Sequence, residues 1–365
     1  MLPWSMQQPL DLPASHPSNL KNLGNTCFAS AVVQLLVHSR GVQQFFVYGN
    51  HTATCTQGLH CWLCSLHAFW QASTQASGVH GAPRPSLTGT RRLEQLLGGM
   101  QMHGAQYHRG GQFDAGELLE RILDVYSEPP LPSAQPGADD ILRCPLAALF
   151  AVGTTSCQMG PSPCDMCLRI GPPRLASTLR AWALQAQAVS PVSGEPVQSL
   201  EEGILENHRP VCLHGPSLDA FLACSTDRCF GRGPGSTATL VVDLPPVLLV
   251  RFDCFDSETG SVRSNGCKVP EVLTLGTSSG ATPAMCALQA GTLYSYRLSG
   301  VIRAPGPTAI TGHYVAVVRG SDEQWLLYDD LSGQVPLEMS SNHASYIWHD
   351  IGARMSSLLR RFGPH

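Results

Sequence analysis

Cys27 follows the turn-forming run Asn22-Leu23-Gly24-Asn25-Thr26 and opens an apolar stretch with helical spacing. A thiol placed there sits at the positive end of a helix macrodipole, beside backbone N–H groups that lack an intrahelical partner. Both features favour thiolate and lower the ordinary thiol pKa of ~8.5, which is what a nucleophile needs. Gly24 gives the turn backbone freedom, and Asn22 carries an amide able to donate toward an oxyanion forming beside the sulfur. Near the other end of the chain, Gly312-His313-Tyr314 opens one strand-length run and Asp329-Asp330 closes the next. His313 and Asp329 are 16 positions apart, a separation that a hairpin closes. An imidazole oriented by that carboxylate is a ready general base for the thiol. Each residue alone has a plainer explanation, a small buried cysteine and a surface-turn histidine. The two segments together are far harder to obtain by accident.

The elements that must position these groups can be read from periodicity. From Thr26, an N-cap candidate, Phe28, Val32, Leu35 and Leu36 share one helical face. Leu59, Trp62, Leu63, Leu66 and Phe69 or Trp70 repeat that period, and so do Ala115, Leu118, Leu119, Ile122 and Tyr126. After a Pro-rich connection from Pro129 to Pro136 the pattern turns to short apolar runs broken by Gly, Pro and Ser. Thr239 to Val242, Val247 to Phe252, Tyr294 to Ile302, Tyr314 to Val318 and Trp325 to Tyr328 read as strands, being rich in β-branched and aromatic residues. A helical first half packed on a strand-rich second half predicts an α+β fold with a cleft at their junction. The stretches Gly203 to Gly235 and Ser257 to Asn265 are too irregular to assign, and residues 1–17, with four prolines, read as an irregular leader.

Composition excludes several classes. Among 365 residues, 23 Lys plus Arg face 27 Asp plus Glu, a net charge of −4. Nucleic-acid binding is not expected, because counterion release needs clustered cations. The start of the chain lacks the basic and apolar regions of a signal peptide, and no run approaches the ~18 apolar residues that span a bilayer. With 14 cysteines in so long a chain, a reducing compartment, cytoplasmic and/or nuclear, is the simplest expectation, with the thiols catalytic, metal-binding or buried.

The segment from Asn22-Leu23-Gly24-Asn25-Thr26-Cys27-Phe28 through Gln34-Leu35-Leu36 resembles the cysteine box of the ubiquitin-specific proteases. Gly312-His313-Tyr314-Val315 with Trp325 to Asp330 resembles their histidine box. Between them, Gly111-Gln112-Phe113-Asp114-Ala115-Gly116-Glu117-Leu118-Leu119 looks like the family's acidic helix. Leu244-Pro245-Pro246 through Arg251-Phe252 and Tyr296-Arg297-Leu298 are similar to its later strands. The resemblance implies a papain-like cysteine protease with a helical thumb, a strand-rich palm and β fingers. The catalytic domain would span 18–350, with fingers at about 145–240 and a tail at 351–365. It implies a deubiquitinase that cuts after the C-terminal glycine of ubiquitin, with Cys27 as nucleophile, His313 as base, Asp329 as orienting acid and Asn22 as oxyanion donor. Asp330 would assist, and Asp114, Glu117, Gly312 and Tyr314 would contact the ubiquitin tail. Ser30-Ala31, Phe113 and Ala304 depart from the family pattern. The alternatives are a weak or inactive ubiquitin-binding pseudo-protease and a protease for a ubiquitin-like modifier. Partners would be ubiquitin and ubiquitinated proteins, with the chain a monomer acting away from membranes.

No cofactor is expected for catalysis. Cys164 and Cys167 form a C-x-x-C knuckle, and Cys224 with Cys229 could complete a structural zinc site, although four residues separate the second pair. The family's fingers often carry such a ribbon in the matching interval. Cys157 and Cys212 are substitutes. A second C-x-x-C, Cys61 and Cys64, falls inside a helical apolar period, where core cysteines are the better expectation.

Overall fold

The computed structural model describes residues 20–49, 51–55, 61–76, 93–98, 113–124, 145–159, 174–175, 179–190, 193–209, 211–212, 221–223, 232–234, 236–253, 268–276, 293–303, 313–320, 323–331, 333–336 and 348–353. Helix α1 (Cys27–His38) lies at the centre of the fold, and every one of its residues is buried. Its polar members are few; His38 Nδ1 lies 2.7 Å from the Gln34 carbonyl, and the ring meets that of Tyr328 at a tilt, centroids 5.0 Å apart. A helix that is apolar nearly all round has no face to give to solvent. The spacing from Cys27 reads as a buried helix, and the structure encloses it on every side.

Helix α2 (Arg40–Tyr48) follows after Ser39, where Gln43 Nε2 donates to the Val37 carbonyl at 2.7 Å and so satisfies an acceptor at the end of α1. Next come the single turn α3 (His51–Thr54), then α4 (Trp62–Ala76) and α5 (Ala115–Asp124). Helices α2, α4 and α5 all contact α1, and α6 (Pro145–Phe150) bridges α2 and α5 to the sheet. Phe28 on α1 meets Phe113 just before α5, ring centroids 5.5 Å apart.

On its other side α1 packs against strands β11 (Leu293–Arg303), β12 (Val315–Arg319) and β13 (Trp325–Asp329). These belong to an eight-stranded sheet whose remaining members are β4 (Leu184–Gln187), β9 (Val247–Asp253), β10 (Val272–Gly276), β14 (Gly333–Pro336) and β15 (Trp348–Ala353). The order is β14-β13-β12-β11-β15-β9-β4, with β10 also on β11, and the β4–β9 pairing is parallel. The β12–β13 register sets Ala316 opposite Tyr328 and Arg319 opposite Trp325. Tyr296 of β11 is fully buried and donates its hydroxyl to the Pro245 carbonyl at 2.9 Å, which ties the two late motifs together.

A second sheet has the order β2-β1-β8-β5, with β3 also on β1. Its backbone is the antiparallel pair β1 (Val152–Met159) and β8 (Ser236–Asp243); β2 (Arg174–Leu175), β3 (Leu179–Ala181) and β5 (Val211–Cys212) are short. Strands β6 (Phe221–Ala223) and β7 (Arg232–Pro234) pair separately. Helix α7 (Leu200–Asn207) lies on β4. The strand content of 203–235, unassigned from sequence, is thus made of two- and three-residue pieces. Among the described residues, no helix is long and apolar enough to cross a membrane. Cys164, Cys167, Cys224, Cys229 and Gly312 lie outside the described residues.

Helix α1 presses on the sheet at Gly300, where an added Cβ would stand 2.6 Å from Leu35 Cδ1 and 3.1 Å from Val318 Cγ1. Leu35→Ala should destabilise the chain by ~2–5 kcal/mol through the cavity it leaves. Gly300→Ala should cost ~1–3 kcal/mol through overpacking. In the double variant the new methyl enters the vacated space, so the sum should fall short of additive by ~0.5–3 kcal/mol. Urea unfolding of the four chains measures this, and strict additivity would show that α1 and β11 do not press on one another there.

Candidate active site

The segment before α1 is a tight turn held by its own side chains. Asn22 Oδ1 accepts from the Gly24 amide at 2.9 Å and from the Thr26 amide at 3.3 Å. Gly24 (φ 99°) and Asn25 (φ 57°) both occupy the left-handed region, which explains a glycine followed by an asparagine. Thr26 stands at the N-cap, but its hydroxyl accepts from Leu23 N at 2.9 Å and makes no cap bond into the helix. The expected cap therefore stabilises the turn. The first amides of α1, those of Cys27 and Phe28, are left to point at the Cys27 sulfur.

That sulfur lies beneath the start of β12, with the residue 3% exposed. Burial pushes the Cys27 thiol above its ordinary value. The Tyr314 backbone N–H pulls it down, the Asp330 carboxylate pushes it up, and the Phe28 and Cys27 amides pull it down. The helix-start donors expected from sequence are thus present, yet the predicted lowering is overturned. Removing the thiolate from water costs more than those dipoles return.

The β12–β13 hairpin brings His313 and the acids together. His313 Nε2 is 2.8 Å from Asp329 Oδ1, which also accepts from the Leu331 amide at 2.9 Å. With Nε2 donating to a carboxylate, the neutral ring keeps Nδ1 as its acceptor. Asp330 Oδ1 stands 3.5 Å from the same Nε2, and its side chain is 1% exposed. Burial pushes the Asp330 carboxyl up; His313 and the Asn22 side-chain amide pull it back, while Asp329 pushes it further up.

Tyr314 joins these groups to α5. Its buried hydroxyl donates to Asp114 Oδ2 at 2.9 Å, while Asp114 Oδ1 accepts from the Glu117 amide at 2.9 Å. Asp114 is therefore the N-cap of α5 as well as the anchor of Tyr314, and both of its oxygens are engaged. This cap was not among the expectations from sequence, although the Asp-x-x-Glu pattern is its local signal; the link to Tyr314, 200 positions away, has no local signal. Glu117 is exposed on the first turn of α5. The structure thus gathers Asn22, Cys27, His313, Tyr314, Asp329 and Asp330 at the N-terminus of α1, with Asp114 and Glu117 alongside.

The family model described as ubiquitin carboxyl-terminal hydrolase matches residues 18–348. Among curated human proteins, ubiquitin carboxyl-terminal hydrolase 17-like protein 10 is 24% identical over 318 residues, 87% of this chain and 52% of its own length. Human ubiquitin carboxyl-terminal hydrolase 17 is 25% identical over 321 residues, with the same coverage of both chains. The chain spans about half the length of these relatives. The fold is similar to that of a chain in the structure of the SAGA Ubp8/Sgf11/Sus1/Sgf73 DUB module bound to ubiquitin aldehyde (TM-score 0.70, 18% identity, 95% of this chain and 72% of that one). A form of that module bound to monoubiquitin superposes with TM-score 0.69 at 18% identity, over 95% of this chain and 72% of that one.

With its thiol held up by burial, Cys27 should alkylate slowly at neutral pH, and its rate should go on rising beyond the ordinary thiol pKa of ~8.5. Asp330→Asn removes a negative neighbour of the sulfur, so thiolate becomes less costly and the inflection should move to lower pH. Iodoacetamide rates read by peptide mass spectrometry from pH 6 to 10 test both. A plateau already reached below pH 7 in the native chain would mean that the thiolate is preformed.

Proposed function

The chain belongs to the ubiquitin carboxyl-terminal hydrolase family, and we propose on that premise that it is a thiol-dependent deubiquitinase working through a Cys27 thioester. The observation that carries the reading is the His313–Asp329 bond of 2.8 Å at the start of the strand whose Tyr314 amide covers the Cys27 sulfur. The Cys27 proton passes to His313 Nδ1 as sulfur attacks the carbonyl carbon of the glycine–lysine isopeptide. The carbonyl oxygen takes up negative charge beside the Asn22 amide. The C–N bond breaks as the imidazolium returns the proton to the leaving amine, and Asp329 holds the ring throughout. Water, deprotonated by His313, then cleaves the thioester and restores the thiol.

Asn22 supports this role because its Oδ1 is spent on the turn, which fixes the plane of the amide and leaves its N–H groups toward Asp330. Because Asp114 is committed to Tyr314 and the α5 cap, Glu117 is the acid assigned to an arginine of the ubiquitin tail. Ubiquitin and its conjugates are the proposed partners, met by the chain as a monomer.

Labelling purified protein with ubiquitin bearing a C-terminal thiol-reactive group should add the mass of one ubiquitin and fail in Cys27→Ala. In turnover of a ubiquitin–lysine isopeptide, His313→Ala should lower kcat/KM by ~10²–10⁴ and Asn22→Ala by ~10²–10³. Labelling by another ubiquitin-like modifier alone would keep the thiol chemistry and change the substrate. A folded chain labelled by none of them would overturn the enzyme reading and leave a ubiquitin-binding module.

A further inference from the structure

At the end of the β12–β13 hairpin away from His313, arginines from three different elements converge on one carboxylate. Arg40 opens α2, Arg297 stands in β11 and Arg319 ends β12. Arg40 Nη2 donates to Glu323 Oε1 and Arg297 Nη1 donates to Glu323 Oε2, each at 3.3 Å, while Arg319 Nε lies 2.8 Å from that same Oε2. Arg319 Nη1 also donates to Glu271, just before β10, at 3.0 Å, and its guanidinium lies over the Trp325 ring, 5.8 Å from the centroid. Among the described residues, this network sets three cations against two anions. The first turn of α2 has no acidic residue, so the positive end of that helix adds to the surplus. In a chain whose net charge is −4, the surplus is local to this face.

Glu323 fits these partners poorly. A charge-assisted N–H···O bond is ordinarily ~2.7–2.9 Å long, and the bonds from Arg40 and Arg297 are longer. The contact with Arg319 is short but misaligned, because its Nε is buried and makes no hydrogen bond. Glu323 also has φ 67°, in the left-handed region that residues with a Cβ rarely occupy. Exposed ion pairs add little to stability, and guanidiniums gathered at one carboxylate repel one another, so folding alone gives no reason to bring them together. Arg40 and Arg297 remain open to a partner, their side chains 71% and 44% exposed. We infer that Arg40, Arg297 and Arg319 form a docking site for an acidic peptide segment of a partner protein, with Glu323 as the internal carboxylate that the segment's own carboxylates displace. The surroundings suit a peptide better than a small anion. Val272, opposite Arg297 in the β10–β11 register, is 51% exposed, and half-buried Trp325 stands opposite Arg319, so apolar surface flanks the charge. The guanidinium fork matches a carboxylate with two parallel donors, which the internal Glu323 does not exploit. None of Cys27, His313 and Asp329 takes part, so the site stands independently of the proposed reaction.

The test titrates the full chain against a fluorescein-labelled Glu-Glu-Leu-Glu-Glu peptide, read by fluorescence anisotropy, beside the same labelled peptide with Gln for every Glu. Salt is held at ~0.1 M, where charges more than ~10 Å apart are largely screened. The acidic peptide should bind and the neutral one should not. Arg40→Gln/Arg297→Gln should weaken binding by ~10-fold, whereas Glu323→Gln, which removes the internal competitor and keeps the arginines, should tighten it by ~3–10-fold. A network that only holds the hairpin turn would give no such gain. Where the double variant fails to fold, Arg40→Gln alone, at the most exposed of the arginines, should still weaken binding by ~3-fold. Equal binding of the two peptides, an affinity indifferent to loss of the arginines, or no gain with Glu323→Gln would each overturn the site. Full displacement of the acidic peptide by an equal concentration of inorganic phosphate would overturn the peptide assignment in favour of a small-anion site.

Discussion

The Tyr314 amide donates to the Cys27 sulfur while its hydroxyl donates to Asp114 at 2.9 Å, so a single residue spaces the starts of α1, α5 and β12. Its neighbour in sequence is His313, which makes the distance from thiol to imidazole a property of the backbone at one position. That backbone is itself fixed, since β12 pairs with β11 on one side and β13 on the other. Groups held this way sit on rigid elements, and their relative placement does not depend on a mobile loop. The capping role of Asp114 belongs to the same constraint: the carboxylate that stops the amides of α5 from going unpaired also holds the Tyr314 ring in place.

Burial works in two directions in this cleft. It raises the pKa of both Cys27 and Asp330, because charge on either group is costly away from water. The same dryness strengthens every dipole aimed at charge that appears during reaction. The amides of Cys27 and Phe28 and the Asn22 side chain are oriented by the turn and the helix before any charge develops. In the proposed reaction, such an arrangement would make the thiolate costly at rest and less so as charge moves onto the substrate. Asp330 sits at the balance point. Its charge opposes ionisation of Cys27, and its Oδ1 lies 3.5 Å from His313 Nε2.

Long, strongly periodic elements were legible in the residues: α1, α4, α5 and strands β8, β9, β11, β12 and β13 all stand where spacing and β-branched content put them. The misses have physical causes. Strand β1 is a polar run, Val-Gly-Thr-Thr-Ser-Cys-Gln-Met, and it is extended because β8 pairs with it from Gly153 to Met159, a contact no local window contains. Helix α7 has a capping box, with Ser199 accepting from Glu202 N at 3.2 Å and Glu202 from Gln198 N at 2.6 Å. Gly203 hides it, although a Cβ there would stand 2.6 Å from the Gln187 carbonyl, so close packing on β4 demands the glycine. At the site, the partnership of His313 and Asp329 followed from a hairpin that periodicity already implied. The ionisation of Cys27 did not, because a dipole is local to a helix start while burial is the sum of everything the chain later lays over it.

The division between the two sides of α1 explains why both halves of the chain are needed. The sheet fixes the imidazole through β12 and β13, whereas the helical layer fixes the axis of α1 and hence the sulfur at its first residue. That layer is held by aromatic contacts, Phe46 stacking on His67 at 4.9 Å and meeting Trp70 at 5.6 Å, and by Trp62 fully buried at the start of α4. In the proposed reaction a slip on either side would displace the Cys27 sulfur from His313, and a misplacement of ~1 Å can cost ~10²-fold in rate. Helix α1 is enclosed on all sides, so the position of the Cys27 sulfur is set by every element that covers the helix and not by one neighbour.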